Sequence, residues 1–241
     1  MTKTIFITGA SSGIGKAVSI EFCKKGWNVI ATARRIGVLR KISKENSIYL
    51  GKIIPISVDI TKVKKVKTII SKFVKDYGMP DIIFLNAGTN NPNSKEIVSI
   101  SEVRKIFEIN YFGTLNCIDA FLTFSNIKKA HTQIIVNASV AGYRGLPYAA
   151  AYCSSKAAII NFSESIFNQC QNLGFNIRVL NPGFIKTPLT DKNKFSMPMI
   201  ISVDRAAKVL YKKFLFTKGF EINLPFFFCL VMKLFKIIPY S

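Results

Sequence analysis

The most constraining feature of this chain is eight residues long: Thr8-Gly9-Ala10-Ser11-Ser12-Gly13-Ile14-Gly15. An apolar run, Ile5-Phe6-Ile7, precedes it, and a helical pattern, Lys16-Ala17-Val18-Ser19-Ile20-Glu21-Phe22, follows. Strand, glycine turn, helix is the order that a dinucleotide-binding loop requires. Gly9 permits the tight turn, Gly13 lets backbone approach a pyrophosphate, and Gly15 allows the helix to pack closely on its strand. The free N–H groups of the helix start then face the phosphates. The same spacing also occurs as a plain structural turn, so its meaning depends on the rest of the chain.

Strand-like and helix-like segments alternate after the loop, without repeats or low-complexity linkers. The pattern predicts strands ending at Thr8, Thr32, Val58, Leu85, Asn137 and Leu180, and a last short one at Phe220 to Leu224. Helices are predicted from Gly13, from a Thr61 cap to Tyr77, over Ser101 to Phe124, over Ala149 to Leu173, and over Val203 to Phe216. Regular alternation with near-continuous apolar strands argues an α/β fold: a single doubly wound parallel sheet, Rossmann-like, buried on both faces. At 241 residues, one full domain is accommodated and two are not. The domain is expected over 1–224, with an apolar, basic tail over 225–241. Ligands of such sheets bind beyond the carboxyl ends of the strands, where the marked residues of this chain fall.

Tyr152 and Lys156 lie four apart in a helical pattern, so both side chains project from one face. A free phenol titrates at about 10. A nearby ammonium favours the phenolate and is expected to lower that value, bringing Tyr152 toward the working range of a general acid/base. Ser139, at a strand end, can hydrogen-bond a substrate oxygen, and Asn110 stands in a long helix without an apolar role. A lone Tyr-x-x-x-Lys is common on solvated helices, so the pair gains meaning only with the other residues.

As an ordered set, these residues resemble the short-chain dehydrogenase/reductase family, in its shorter, non-extended branch. The resemblance rests on the Thr8–Gly15 stretch, Asp59, Asn86-Ala87-Gly88, Asn110, Ser139, Tyr152-Cys153-Ser154-Ser155-Lys156, and Pro182-Gly183 with Thr187, over residues 3 to 224. It implies Tyr152 as general acid/base, Ser139 as carbonyl-polarising donor, and Asn110 as anchor of a proton-relay water. Lys156 would hold the nicotinamide ribose and acidify Tyr152, Asp59 would meet the adenine, Asn86 would support cofactor and central strand, and Thr187 would touch the carboxamide. Gly9, Ser11, Ser12, Gly13, Ile14, Gly15, Ile60, Ala87, Gly88, Pro182, Gly183 and Ile185 complete the implied cofactor contacts. The implied reaction is hydride transfer between NAD(P)H and a carbonyl/alcohol pair. A 3-oxoacyl-carrier-protein reductase and a non-catalytic NAD(P)-binding sensor or scaffold are the alternatives; a homo-oligomer is expected.

Charge argues the choice of nicotinamide. Family members that use NAD usually close the second strand with a carboxylate; here the stretch reads Thr32-Ala33-Arg34-Arg35. A carboxylate repels a 2′-phosphate and an arginine fork binds it, so NADP(H) is favoured over NAD(H), with Arg34 ahead of Arg35. A single histidine, His131, leaves a Ser-His-Asp triad nothing else to build on, and no metal-ligand spacing is present. Five cysteines without a Cys-x-x-Cys pair fit free thiols in a reducing, cytoplasmic setting, and the first strand begins too early for a signal peptide.

The formal charge of +21 would attract an anionic membrane surface, an acidic carrier or nucleic acid, or it reflects lysine-rich composition. No aromatic-rich basic ribbon is present, so nucleic acid ranks last. The tail, Phe226-Phe227-Phe228-Cys229-Leu230-Val231-Met232-Lys233-Leu234-Phe235-Lys236-Ile237-Ile238, is too short to span a bilayer. It fits an interfacial helix with Lys233 and Lys236 on a face opposite the bulky apolar groups, or else a segment packed on the domain or on another copy. Leu189, Phe195, Met197, Met199 and Ile200, with Tyr143, Leu146 and Tyr148, suggest a hydrophobic substrate.

Overall fold

The computed structural model describes residues 2–91, 99–126, 132–193 and 196–239; His131 and Phe195 lie outside them. Seven strands form one parallel sheet: β1 (Thr4–Thr8), β2 (Asn28–Ala33), β3 (Lys52–Ser57), β4 (Ile82–Leu85), β5 (Thr132–Asn137), β6 (Phe175–Pro182) and β9 (Glu221–Leu224). Their spatial order is β3-β2-β1-β4-β5-β6-β9, so the direction of winding reverses after β1. A short parallel pair, β7 (Ile185–Lys186) with β8 (Ile201–Ser202), lies outside the main sheet.

The strands are apolar on both faces because helices cover both faces. β1 shows the division: Ile5 and Ile7 enter one hydrophobic layer and Phe6 the other. The first layer packs against α1 (Gly13–Lys24), α2 (Ile36–Glu45) and α8 (Val203–Phe216), with Phe84 and Phe214 in edge contact at 5.1 Å. The second packs against α3 (Val63–Tyr77), α5 (Gly113–Leu122) and α6 (Ala150–Ser165), where Phe121 meets Phe6 at 5.1 Å. Each such fully buried side chain contributes about 1.5–3 kcal/mol.

Several elements differ from the sequence expectation. Helix α2 was not among the expected elements; Leu39 and Ile42 are buried and Ile36 packs beside them, while most of its other residues face solvent. The stretch expected as one helix from Ser101 is α4 (Ile100–Phe107), a π-helical turn at Glu108–Phe112, then α5. The helix expected from Ala149 is α6 followed, after Ile166, by α7 (Phe167–Asn172). Thr61 does not cap α3, whose N-cap is Lys62; its N–H and hydroxyl instead donate to Asp59 Oδ1, at 3.1 and 2.9 Å.

β6 carries the fully buried Arg178. Its guanidinium donates to the Gly219 carbonyl (2.8 Å), Thr217 Oγ1 (2.9 Å) and Gln133 Oε1 (3.2 Å), stapling the turn between α8 and β9 to β5 and β6.

The tail forms helix α9 (Phe226–Ile237). Its inner face docks on the domain: Cys229 and Met232 are buried with Val140 and Tyr143, and Leu146 and Phe228 pack beside them. Lys233 does not stand opposite the apolar groups as expected. It turns inward and pairs with Glu221 on the edge strand, because that carboxylate is within its reach. The outward face of α9 is therefore more apolar than the sequence pattern implied. No helix among the described residues is long and apolar enough to cross a membrane.

Candidate active site

A cavity of about 280 Å³ opens at the carboxyl ends of the strands, on both sides of the winding reversal. The glycine loop forms its floor. Gly9 has φ +68°, a conformation an L side chain rarely adopts. A Cβ on Gly15 would lie 2.5 Å from both the Gly9 carbonyl oxygen and Asn86 Nδ2, so only glycine lets α1 start this close to the strand. α1 has no acidic residue in its first turn and no side-chain cap, which leaves its N-terminal dipole directed at the cavity.

Of the expected cofactor residues, Gly9, Ser11, Ser12, Gly13, Ile14, Arg34, Arg35, Asp59, Ile60, Asn86, Ala87, Gly88, Tyr152, Lys156 and Thr187 line this cavity. Gly15, Pro182, Gly183 and Ile185 do not. Gly15 acts through packing, and Ile185 is buried. A Cβ on Gly183 would lie 2.5 Å from the Phe228 ring, so this glycine gives room to α9. Expected substrate residues also separate. Leu189 lines the cavity, whereas Tyr143 and Leu146 pack against α9, with the Tyr143 hydroxyl donating to Asn223 Oδ1 at 3.1 Å.

The two arginines take different positions. Arg35 Nη2 donates to Ser11 Oγ (2.9 Å) and Ser12 Oγ (3.4 Å), bringing its guanidinium over the glycine loop. Arg34 lies near Asp59. Desolvation of Asp59 opposes its charge, but the two Thr61 hydrogen bonds and the Arg34 and Lys62 charges outweigh it, and the carboxyl stays below its ordinary value. Arg34, Arg35 and Lys156 against Asp59 leave the lining cationic, as an anionic ligand needs.

At the other end, Ser139 Oγ accepts the Ala141 N–H at 3.1 Å and lies near the Tyr152 hydroxyl, where it favours the phenolate. Lys156 Nζ lies 5.6 Å from the centre of the Tyr152 ring and donates to the Asn137 carbonyl at 2.7 Å. Titration departs from the expected direction. Burial pushes the Tyr152 phenol up to about 12, despite the opposing effect of Ser139. The same burial pulls Lys156 down to about 8. Desolvation is the leading cause of both shifts.

Asn110 sits in the π-helical turn, a distortion frequent at functional sites. Its Oδ1 accepts the Thr89 N–H (2.7 Å), and its Nδ2 donates to the Thr89 carbonyl (3.0 Å) and Ser155 Oγ (3.1 Å). The side chain thus ties the loop after β4 to α6 and stands behind Gly88 of the cavity wall.

Sequence reasoning overlooked Asn137. Its Nδ2 donates to Asn86 Oδ1 at 3.0 Å while its carbonyl receives Lys156, and Asn86 Nδ2 in turn donates to the Thr8 carbonyl at 3.1 Å. A continuous polar chain links the glycine loop to the lysine. Its position two residues before Ser139 was the available signal. Thr32, Ala33, Val58, Thr61, Thr89, Ile109 and Pro188 also line the cavity, none of them expected as a cofactor contact.

A glycine-floored cavity at the switch point of a parallel sheet defines a nucleotide-binding α/β protein. Residues 3–197 match the family model described as short chain dehydrogenase. An uncharacterised oxidoreductase of Myxococcus xanthus is 27% identical over 98% of this chain and 93% of its own length. A 3-oxoacyl-[acyl-carrier-protein] reductase of Thermotoga maritima is 30% identical over 79% of this chain and 77% of its own. Among solved structures, ElxO with NADP bound is 27% identical, with a TM-score of 0.80 over 93% of this chain and 97% of that one. The chain belongs to the short-chain dehydrogenase/reductase family and is an oxidoreductase.

Proposed function

We propose that this oxidoreductase is an NADP(H)-dependent carbonyl reductase or alcohol dehydrogenase acting on a hydrophobic carbonyl/alcohol pair, with Tyr152 as general acid/base. The observation that carries the reading is one cavity with the cationic glycine loop at one end and Tyr152, with Lys156 beside its ring, at the other, Ser139 standing near the phenol just outside the lining. The lining fits a dinucleotide: glycines where a Cβ would collide, an open helix N-terminus, and cationic side chains. When bound, the nicotinamide supplies or accepts the hydride.

The chain's own residues do the rest. Ser139 Oγ donates a hydrogen bond to the substrate oxygen and polarises the carbonyl. Tyr152 hands its proton to the same oxygen as the alcohol forms; a phenol held near 12 keeps that proton at neutral pH, the state reduction requires. Lys156, held by Asn137, places positive charge beside the phenol and stabilises the phenolate left behind. Asn110 and Asn137 keep the walls in register.

The 2′-phosphate argument now favours Arg35, which already meets the loop hydroxyls, with Arg34 second. The NADP named with ElxO supports this preference. The Thermotoga maritima relative favours a 3-oxoacyl-carrier-protein reductase as the second reading, to which a basic surface would suit an acidic carrier. Titration with NADPH and NADH, read by energy transfer from Trp27 and other aromatics, tests the assignment. Arg35→Ala is expected to weaken NADPH at least tenfold, the worth of one charge-assisted hydrogen bond, and to leave NADH little changed. Equal loss for both, or NADH preferred by the wild type, overturns it.

A further inference from the structure

The outward face of α9 has no covering in the fold. Phe226, Phe227, Leu230, Leu234, Phe235 and Ile237 lie along it, with Phe227 69% and Ile237 78% exposed. Exposed residues begin at the first turn and end at the last, so the helix presents its whole length sideways. Twelve residues rise about 18 Å, well short of the roughly 30 Å hydrocarbon core, so this helix can lie in a membrane interface and cannot cross it.

Charge selects the occupant. The chain carries +21, Lys236 is exposed in the last turn of α9 on the side of Met232, and no acidic residue follows Glu221, itself paired with Lys233. A second copy docked through the same face would bring the same net positive charge to the contact. An anionic lipid surface offers both an apolar boundary for the rings and negative charge for the lysines.

The inner face of the same helix adjoins the active site. Val140 and Tyr143, in and after the turn that follows Ser139, pack with Cys229 and Met232. Phe228 presses on Gly183 and meets the Phe184 ring at 5.3 Å, directly after the Pro182 carbonyl that accepts Ser139 Oγ at 3.5 Å. About one helix diameter, roughly 10 Å, separates the open face from this wall. The loops flanking the cavity also expose apolar side chains, Tyr148 and Met199.

We propose that α9 seats the protein in the interface of an anionic membrane, with the Ser139–Tyr152 side of the site beside the lipid from which an apolar ketone or aldehyde enters. The second half rests on the reductase reading; the first does not.

The test uses the full chain with phosphatidylcholine vesicles, with and without roughly one third phosphatidylserine. Cosedimentation is read alongside NADPH oxidation with a long-chain ketone held in the vesicles and a short, water-soluble ketone. The wild type is expected to bind the anionic vesicles and to be released by high salt. Phe227→Asp with Leu234→Asp should lower vesicle binding at least tenfold, with the short-ketone rate unchanged and the long-chain rate reduced. Lys236→Glu should weaken anionic-vesicle binding severalfold with the apolar face intact, which keeps the proposal testable if the double variant misfolds. Absence of wild-type binding at low salt, or binding indifferent to these variants, overturns the proposal. So does a concentration-dependent oligomer that the double variant dissociates while vesicles stay unbound. Failure to turn over either ketone with vesicle binding behaving as expected supports the membrane half and overturns the reductase reading together with substrate entry.

Discussion

Replacing Lys156 by methionine should remove activity and yet relieve the fold of a burden, and the pH dependence of that relief can be worked out. The ammonium is buried, at 4% exposure, and its folded value near 8 lies about 2.5 below the ordinary 10.5. Below pH 8 both folded and unfolded chains carry the proton, and the folded state bears the full cost of a desolvated charge. Between 8 and 10.5 the unfolded chain binds more protons, so wild-type stability rises with pH through that window. At about 1.36 kcal/mol for each unit, the full gap is roughly 3 kcal/mol. Against this, methionine forfeits the Lys156 hydrogen bond and leaves the Asn137 carbonyl short of a donor, costing about 1–3 kcal/mol at every pH. The two effects nearly cancel at pH 7, so the absolute difference there is uninformative and its slope is decisive. Urea unfolding of wild type and Lys156→Met, without nucleotide, should show the wild type gaining about 2 kcal/mol on the variant between pH 7 and 9.5. A constant difference across that range, or a wild type that loses ground as pH rises, would refute the burial argument.

Two further substitutions probe the scaffold. Arg178→Met should destabilise by about 3 kcal/mol, since it strands the Gly219 carbonyl and its fellow acceptors, and should appear as a lower urea midpoint with unchanged slope. Gly15→Ala should cost about 1–3 kcal/mol and weaken NADPH binding at least tenfold, because the backbone at Gly9 cannot retreat from the new methyl group; a neutral thermal melt with intact binding would contradict the cradle.

The glycine loop and the Tyr152–Lys156 pair were readable from the chain because each depends on local chemistry: a turn only glycine can make, and a four-residue helical spacing. Sheet and layers followed from apolar runs, as Ile5-Phe6-Ile7 illustrates. What escaped notice depends on tertiary context. The π-helical turn carries Asn110, whose bonding partners Thr89 and Ser155 lie on other elements. Asn137 works through its carbonyl as much as its side chain. The titration of Tyr152 was expected downward from its neighbour's charge, and burial reversed it. In the tail, Lys233 took the Glu221 carboxylate presented by an edge strand that helical periodicity cannot see.

Tyr152→Phe tests the central claim most directly, because it removes one hydroxyl and leaves the cavity and its cationic end in place. Turnover of a ketone and aldehyde panel with NADPH should fall by at least about a hundredfold, the usual worth of a positioned general acid, while NADPH affinity changes less than threefold. Retained turnover in a folded, NADPH-binding variant would contradict the assignment of Tyr152 and the mechanism built on it.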